Sequence, residues 1–173
     1  NLAKDIIISE SDYFDVIDKK TASLLSASLA IGAITGGANE ELISQFVKVG
    51  KLLGISFQLK DDIFDYYSDD VGKPTGNDIR EGKVTLPLIY ALNNAPKDVS
   101  DGMMEIIKTR NYSDENIQLL LRFAKDYKGV EYTYKKMDAL LAESEEIISS
   151  FSFDKDIKMY MTLFLTYLRE RSF

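Results

Sequence analysis

The 173-residue sequence contains no cysteine and no histidine. Without cysteine there can be no disulfide, thiol nucleophile, zinc ribbon or iron–sulfur cluster. Without histidine there is no Ser-His-Asp triad, no imidazole general base and no HExxH zinc site. Any metal chemistry must therefore use oxygen ligands. A basic stripe is also missing, and a formal net charge of -7 argues against a nucleic-acid partner. The longest nearly apolar run, Leu24 to Ile34, includes serines and is too short to span a bilayer. No signal-peptide pattern opens the chain, which fits a cytoplasmic location. The chain starts at Asn1, and Leu2 to Ile8 reads as the tail of an element already under way, so a fragment is expected.

What is present is an ordinary globular composition, 45% hydrophobic and 28% charged, at a length that fits one domain over residues 1–173. Apart from the brief β-rich run Asp5 to Ser9, no segment alternates with period two. Helix signals recur instead. Ser9-Glu10-Ser11-Asp12 fits a capping box opening a helix from about Asp12 to Ile34, stopped at Gly36-Gly37. Asn39 before Glu40-Glu41 caps a proline-free helix expected to reach Tyr67. Ser68 to Gly82 reads as a polar, Gly-rich loop. Pro87 falls in the first turn of a short apolar helix, and Pro96, Ser113, Gly129 and Asp154 mark later starts. The expectation is an all-α chain of about six or seven helices.

The chemistry concentrates at Phe57-Gln58-Leu59-Lys60-Asp61-Asp62-Ile63-Phe64-Asp65. At about 100° per residue, Gln58, Asp61, Asp62 and Asp65 share one narrow polar strip with Gly54 and Lys51. Apolar residues fill the rest of the circumference, so the strip should face a cleft and not bulk water. Three carboxylates within one turn repel one another, and a hard divalent cation such as Mg²⁺ removes that cost. The plain alternative is a solvated acidic face. Lys20-Thr21 offers a point charge beside a hydroxyl donor, a pair able to hold a phosphate, although on local evidence alone a surface lysine at a helix bend is the favoured explanation. Lys73, Arg80 and Lys83 follow in the Gly-rich loop, where cations beside a metal–carboxylate cluster suit a polyphosphate. Two rival motifs fail on spacing. The segment Gly76 to Thr85 has one residue too many between its glycines for a P-loop, and Asp65 to Asp70 lacks the alternation of an EF-hand.

In order along about 75 residues, these pieces resemble the C-terminal half of a trans-isoprenyl diphosphate synthase. The likeness includes Lys20-Thr21, Gly54-Ile55-Ser56-Phe57-Gln58 and the second Asp-rich motif, Asp61-Asp62-Ile63-Phe64-Asp65. It continues through Gly72-Lys73, Gly76-Asn77-Asp78-Ile79 and Glu81-Gly82-Lys83-Val84-Thr85-Leu86-Pro87-Leu88. The sequence around Lys20 and Lys83 is most similar to bacterial synthases of octaprenyl type. The resemblance implies an isoprenoid-synthase bundle, here partial, working as a homodimer when full length. It implies Mg²⁺ at Asp61, Asp62 and Asp65, with an allylic diphosphate and isopentenyl diphosphate as substrates. Lys20, Thr21, Gln58, Lys73 and Lys83 become diphosphate contacts, and Asp78 orients the loop lysines or a metal-bound water. The family's first Asp-rich motif is not in this sequence, so the chain alone is expected to be inactive. A class I terpene cyclase and a non-catalytic helical subunit are the alternatives. The Gly-Lys and Lys-Val-Thr-Leu-Pro pieces favour the synthase over the first, and the retained aspartates and lysines favour it over the second.

Overall fold

The computed structural model describes residues 9–67 and 75–170. Among the described residues there is no strand, as the missing period-two pattern requires. Helix α1, Glu10–Ile17, runs through a π-helical turn, Asp18–Ala22, into α2, Ser23–Thr35. Then come α3, Glu40–Phe64, the short α4, Asn77–Arg80, and α5, Leu86–Asn94. The remainder is α6, Lys97–Thr109, α7, Asp114–Asp126, α8, Gly129–Ser150, and α9, Lys155–Glu170. The β-rich run starting at Asp5 lies, but for Ser9, outside the described residues.

The starts follow their capping chemistry. Ser9 Oγ accepts the Asp12 amide at 3.3 Å, Asn39 Oδ1 the Leu42 amide at 2.9 Å, and Ser113 Oγ the Asn116 amide at 3.3 Å. Pro87 sits in the first turn of α5, where a missing N–H costs nothing.

Two expectations need correcting. Helix α3 stops at Phe64, short of Tyr67, and the segment read as loop contains α4. One cause serves both. The Asp65 carbonyl accepts the Gly76 amide at 3.0 Å, while its carboxylate accepts the amides of Asn77 and Asp78 at 2.9 and 3.0 Å. A residue committed to that returning loop cannot continue the helix, and the same bonds cap α4 from 12 residues away in sequence. Gly76 has φ +74°, and a Cβ there would meet Ile117 Cγ2 at 2.4 Å, so position and packing both demand glycine.

By its contacts the chain divides into two compact units. The first joins the chain up to Tyr13 with Asp61–Lys135, and the second joins Phe14–Lys60 with Lys136–Phe173. In the first, α5 packs on α6 and α7, burying Leu88 and Ile89 with Ile117, Leu120 and Leu121. In the second, α3 buries Val49, Leu52, Leu53 and Leu59, α8 buries Leu141 and Ile148, and Phe46 stacks on Phe151 with centroids 5.0 Å apart.

Candidate functional site

Asp61 and Asp62 close α3, and Asp65 stands in the turn beyond it. Asp61 is half-buried. Asp62 is only 3% exposed and accepts a short hydrogen bond from the hydroxyl of Tyr13, itself 4% exposed. Burial, then the neighbouring Asp62 charge, holds the Tyr13 phenol well above its usual range, so it stays protonated and donates. Tyr66, fully buried, packs beside them with its hydroxyl 3.1 Å from Thr85 Oγ1. Burial raises the Asp65 carboxyl, and the two amide bonds from Asp78 and Asn77 oppose that shift.

The loop after α4 is closed by charge. Lys83 Nζ donates to Asp78 Oδ1 at 3.0 Å and lies 2.6 Å from Glu81 Oε2. The Glu81 and Asp78 carboxylates push the Lys83 ammonium up to about 12. Asp78 thus sits between the backbone grip of Asp65 and the loop lysine. All of these groups belong to the first unit.

Lys20, Thr21 and Gln58 belong to the second unit. The π-helical turn Asp18–Ala22 takes in Lys19-Lys20-Thr21, an irregularity that commonly marks functional positions. Thr21 Oγ1 donates to Gln58 Oε1 at 3.0 Å, and Lys20 is exposed. The approach of the two helices is set by small residues, since a Cβ on Gly54 would lie 2.5 Å from the Ala22 Cα. Gly50, Gly54 and Gln58 recur every four residues on α3, so the glycines bring in the backbone and Gln58 takes the hydroxyl.

Residue by residue, the structure ties Thr21 to Gln58, Asp65 to the start of α4, and Lys83 to Asp78 and Glu81. Lys73 lies outside the described residues. Asp65 departs from helical geometry, and among the described residues no three acids are grouped so as to hold a metal ion. Two residues carry no local sequence signal. Tyr13 meets Asp62 across 49 positions, and Lys60, 5% exposed, donates to the Arg169 carbonyl at 3.0 Å across 109. The Lys60 ammonium thereby meets the carbonyl end of α9, where positive charge is favourable.

The donor set is all oxygen, which suits Mg²⁺. Mg²⁺ is commonly bound by one or two carboxylates, with waters and substrate phosphates completing its shell. Asp61 and Asp65 fit that mode, because a carboxylate accepting two amide bonds retains lone pairs for a cation. Asp62, turned to Tyr13, fits an anchoring task.

The all-α fold is of the class found in isoprenoid synthases, as a solved relative shows. The sequence matches the Polyprenyl synthetase family over residues 2–123. It is 39% identical over 123 residues to a short chain isoprenyl diphosphate synthase of Methanocaldococcus jannaschii, covering 70% of this chain and 37% of that protein. It is 33% identical over 154 residues to a geranylgeranyl diphosphate synthase of Sulfolobus acidocaldarius, covering 88% and 46%. The crystal structure of a geranylgeranyl pyrophosphate synthase from Bacteroides thetaiotaomicron superposes with a TM-score of 0.86 at 36% identity, covering 95% of this chain and 54% of that one. The chain belongs to the polyprenyl synthetase family. It spans about half the length, or less, of these relatives, and none of the three is named for an octaprenyl product.

Proposed function

We propose that this chain is the C-terminal half of a trans-polyprenyl diphosphate synthase, which joins isopentenyl diphosphate to an allylic diphosphate. The observation that carries the reading is the end of α3 and the turn beyond it, where the motif places Asp61, Asp62 and Asp65, with Asp62 held by Tyr13 and Asp65 by the amides of Asn77 and Asp78. Asp61 and Asp65 would hold Mg²⁺, which when bound offsets charge growing on a departing diphosphate. Lys83, steered by Asp78, has a third ammonium hydrogen for a diphosphate oxygen. By their place in the motif series Lys20, Thr21, Gln58 and Lys73 are further diphosphate contacts; the Thr21 hydroxyl is spent on Gln58 Oε1, which leaves the Gln58 NH₂ as the donor of that pair. In the reaction the allylic C–O bond breaks with its electron pair leaving on diphosphate. The isopentenyl double bond attacks the resulting cation, and loss of a proton restores an alkene. Preorganised donors at the leaving group favour the ionised state over the ground state.

The test is titration of inorganic diphosphate into the purified chain by calorimetry, with and without Mg²⁺. Binding should require the metal and weaken about tenfold or more in Asp61→Ala, the loss of a charge-assisted contact. Equal binding by Asp61→Ala would refute the assignment. With allylic and isopentenyl diphosphates the 173-residue chain should give no elongated product. The longer protein should give linear diphosphates, whereas released hydrocarbons would indicate a cyclase.

A further inference from the structure

The three aspartates of the motif are not equivalent. Asp61 and Asp65 are half-buried, whereas Asp62 is 3% exposed and accepts its hydrogen bond from Tyr13, 4% exposed. Both partners of that bond lie within the first unit. A helix turns Asp62 about 100° away from Asp61, and the Tyr13 hydroxyl of α1 meets it on that buried side. Among the described residues no three acids are grouped so as to hold a cation, which agrees with Asp62 pointing elsewhere.

Stability alone does not call for this pair. Phenylalanine would fill the space of the Tyr13 ring, and an apolar side chain in place of Asp62 would need no donor. Replacing both partners of a buried polar pair by apolar groups of like shape is often neutral or stabilising. What the hydroxyl does secure is the inward orientation of one carboxylate of the motif. That orientation bears on the choice of cation. Mg²⁺ is small, keeps several waters and is commonly held by one or two carboxylates, the number that Asp61 and Asp65 supply. Ca²⁺ is larger, takes about six to eight oxygens and gains from a further carboxylate.

We propose that Tyr13 is a positioning residue that sets cation choice: its hydroxyl holds Asp62 out of the ligand set, so the motif offers two carboxylates and favours Mg²⁺ over Ca²⁺. Without the hydroxyl, the Asp62 carboxylate turns outward to join Asp61 and Asp65, and the motif offers three. The proposal rests on the diphosphate reading above and adds to it a determinant from α1, outside the motif itself.

The experiment titrates inorganic diphosphate by calorimetry into the protein expressed from its own gene, once with Mg²⁺ and once with Ca²⁺, and reads the ratio of the two affinities. In Tyr13→Phe the preference for Mg²⁺ should fall about tenfold, the scale of one hydrogen bond to a charged group. Adding Asp62→Asn to Tyr13→Phe should restore the preference, because the third carboxylate is then gone. A loss of packing would not be repaired in that way. Equal weakening with both cations, or a shifted ratio that Asp62→Asn does not restore, would make Tyr13 a structural clasp and overturn the proposal. Should Tyr13→Phe fail to fold, Asp62→Asn alone carries the test. It should weaken Mg²⁺-dependent binding less than Asp61→Ala does, and an equal loss would make Asp62 a ligand. If the unaltered protein binds diphosphate with neither cation, the diphosphate reading falls and this proposal with it. An unchanged ratio in Tyr13→Phe sinks this proposal alone.

Discussion

In the first unit the large apolar side chains are put away: Leu86, Leu88, Ile89, Ile117 and Leu120 are fully buried, and only Tyr67 and Leu119 stand out as exposed among its described residues. In the second unit the same kinds of side chain are left uncovered along two helices. They include Leu24, Ile31 and Ile34 on α2, and Ile157, Tyr160 and Phe164 on α9. The contrast lies in coverage, since both units contain helices with apolar faces. The first unit surrounds α5 with α6 and α7, while α2 meets α3 at Ser26 and leaves Leu24, Ile31 and Ile34 exposed. Burial of apolar surface is the main favourable term in folding, so the first unit should carry its own stability and the second should gain from a partner.

The largest expected effects test the tight backbone approaches, one in each unit. In Gly129→Ala the new Cβ would lie 1.9 Å from the Pro87 carbonyl oxygen, and relief requires backbone movement. A loss of about 3 kcal/mol in urea unfolding is expected. Gly54→Val, placed against Ala22, should cost about as much and also weaken diphosphate binding by displacing Thr21 from Gln58. Next comes the contrast in coverage itself. Leu120→Ala in the first unit should cost about 3 kcal/mol, and Leu163→Ala on the 56%-exposed side of α9 roughly 0.5 kcal/mol or less. Equal losses would dissolve the contrast between the units.

Smaller again is the buried pair at the end of α3. Tyr13→Phe removes the donor from a carboxylate that is 3% exposed, and about 2 kcal/mol of stability should go with it. In Asp62→Asn the same phenylalanine substitution should cost clearly less, which a double-mutant cycle would read. The smallest effect is a pH dependence at Asp65. Burial raises its folded carboxyl from the ordinary value, so the folded state holds that proton more tightly than the unfolded chain. Its contribution is therefore greatest below the ordinary carboxylate range and is lost as pH rises through the folded value. The stability of the protein relative to Asp65→Asn should fall across that window, as read from urea midpoints at a series of pH values. A constant difference would show that the shift is absent.

Much of this was legible along the chain. Ser9, Asn39 and Ser113 are local signals, because a capping side chain reaches amides only two or three residues away. The ordered motif series from Lys20 to Leu88 was likewise visible, since it consists of residue types at fixed spacings. What is not legible locally has a common origin in contacts between distant positions. Extending α3 through Asp65 by helical arithmetic placed three carboxylates on one strip, yet the loop at Gly76 to Asp78 draws Asp65 out of the helix. Tyr13 and Lys60 carry no local signal because their partners are 49 and 109 residues away.

The sequence by itself determined the helical class, the helix starts and the absence of any Cys or His metal ligand, because each follows from short-range periodicity, capping or the bare residue inventory. Only the tertiary structure decided where α3 ends, which aspartate is anchored to Tyr13, and how closely α2 meets α3. Those outcomes depend on competition between a local helical bond and a partner brought in from far along the chain, and no local pattern records which one wins.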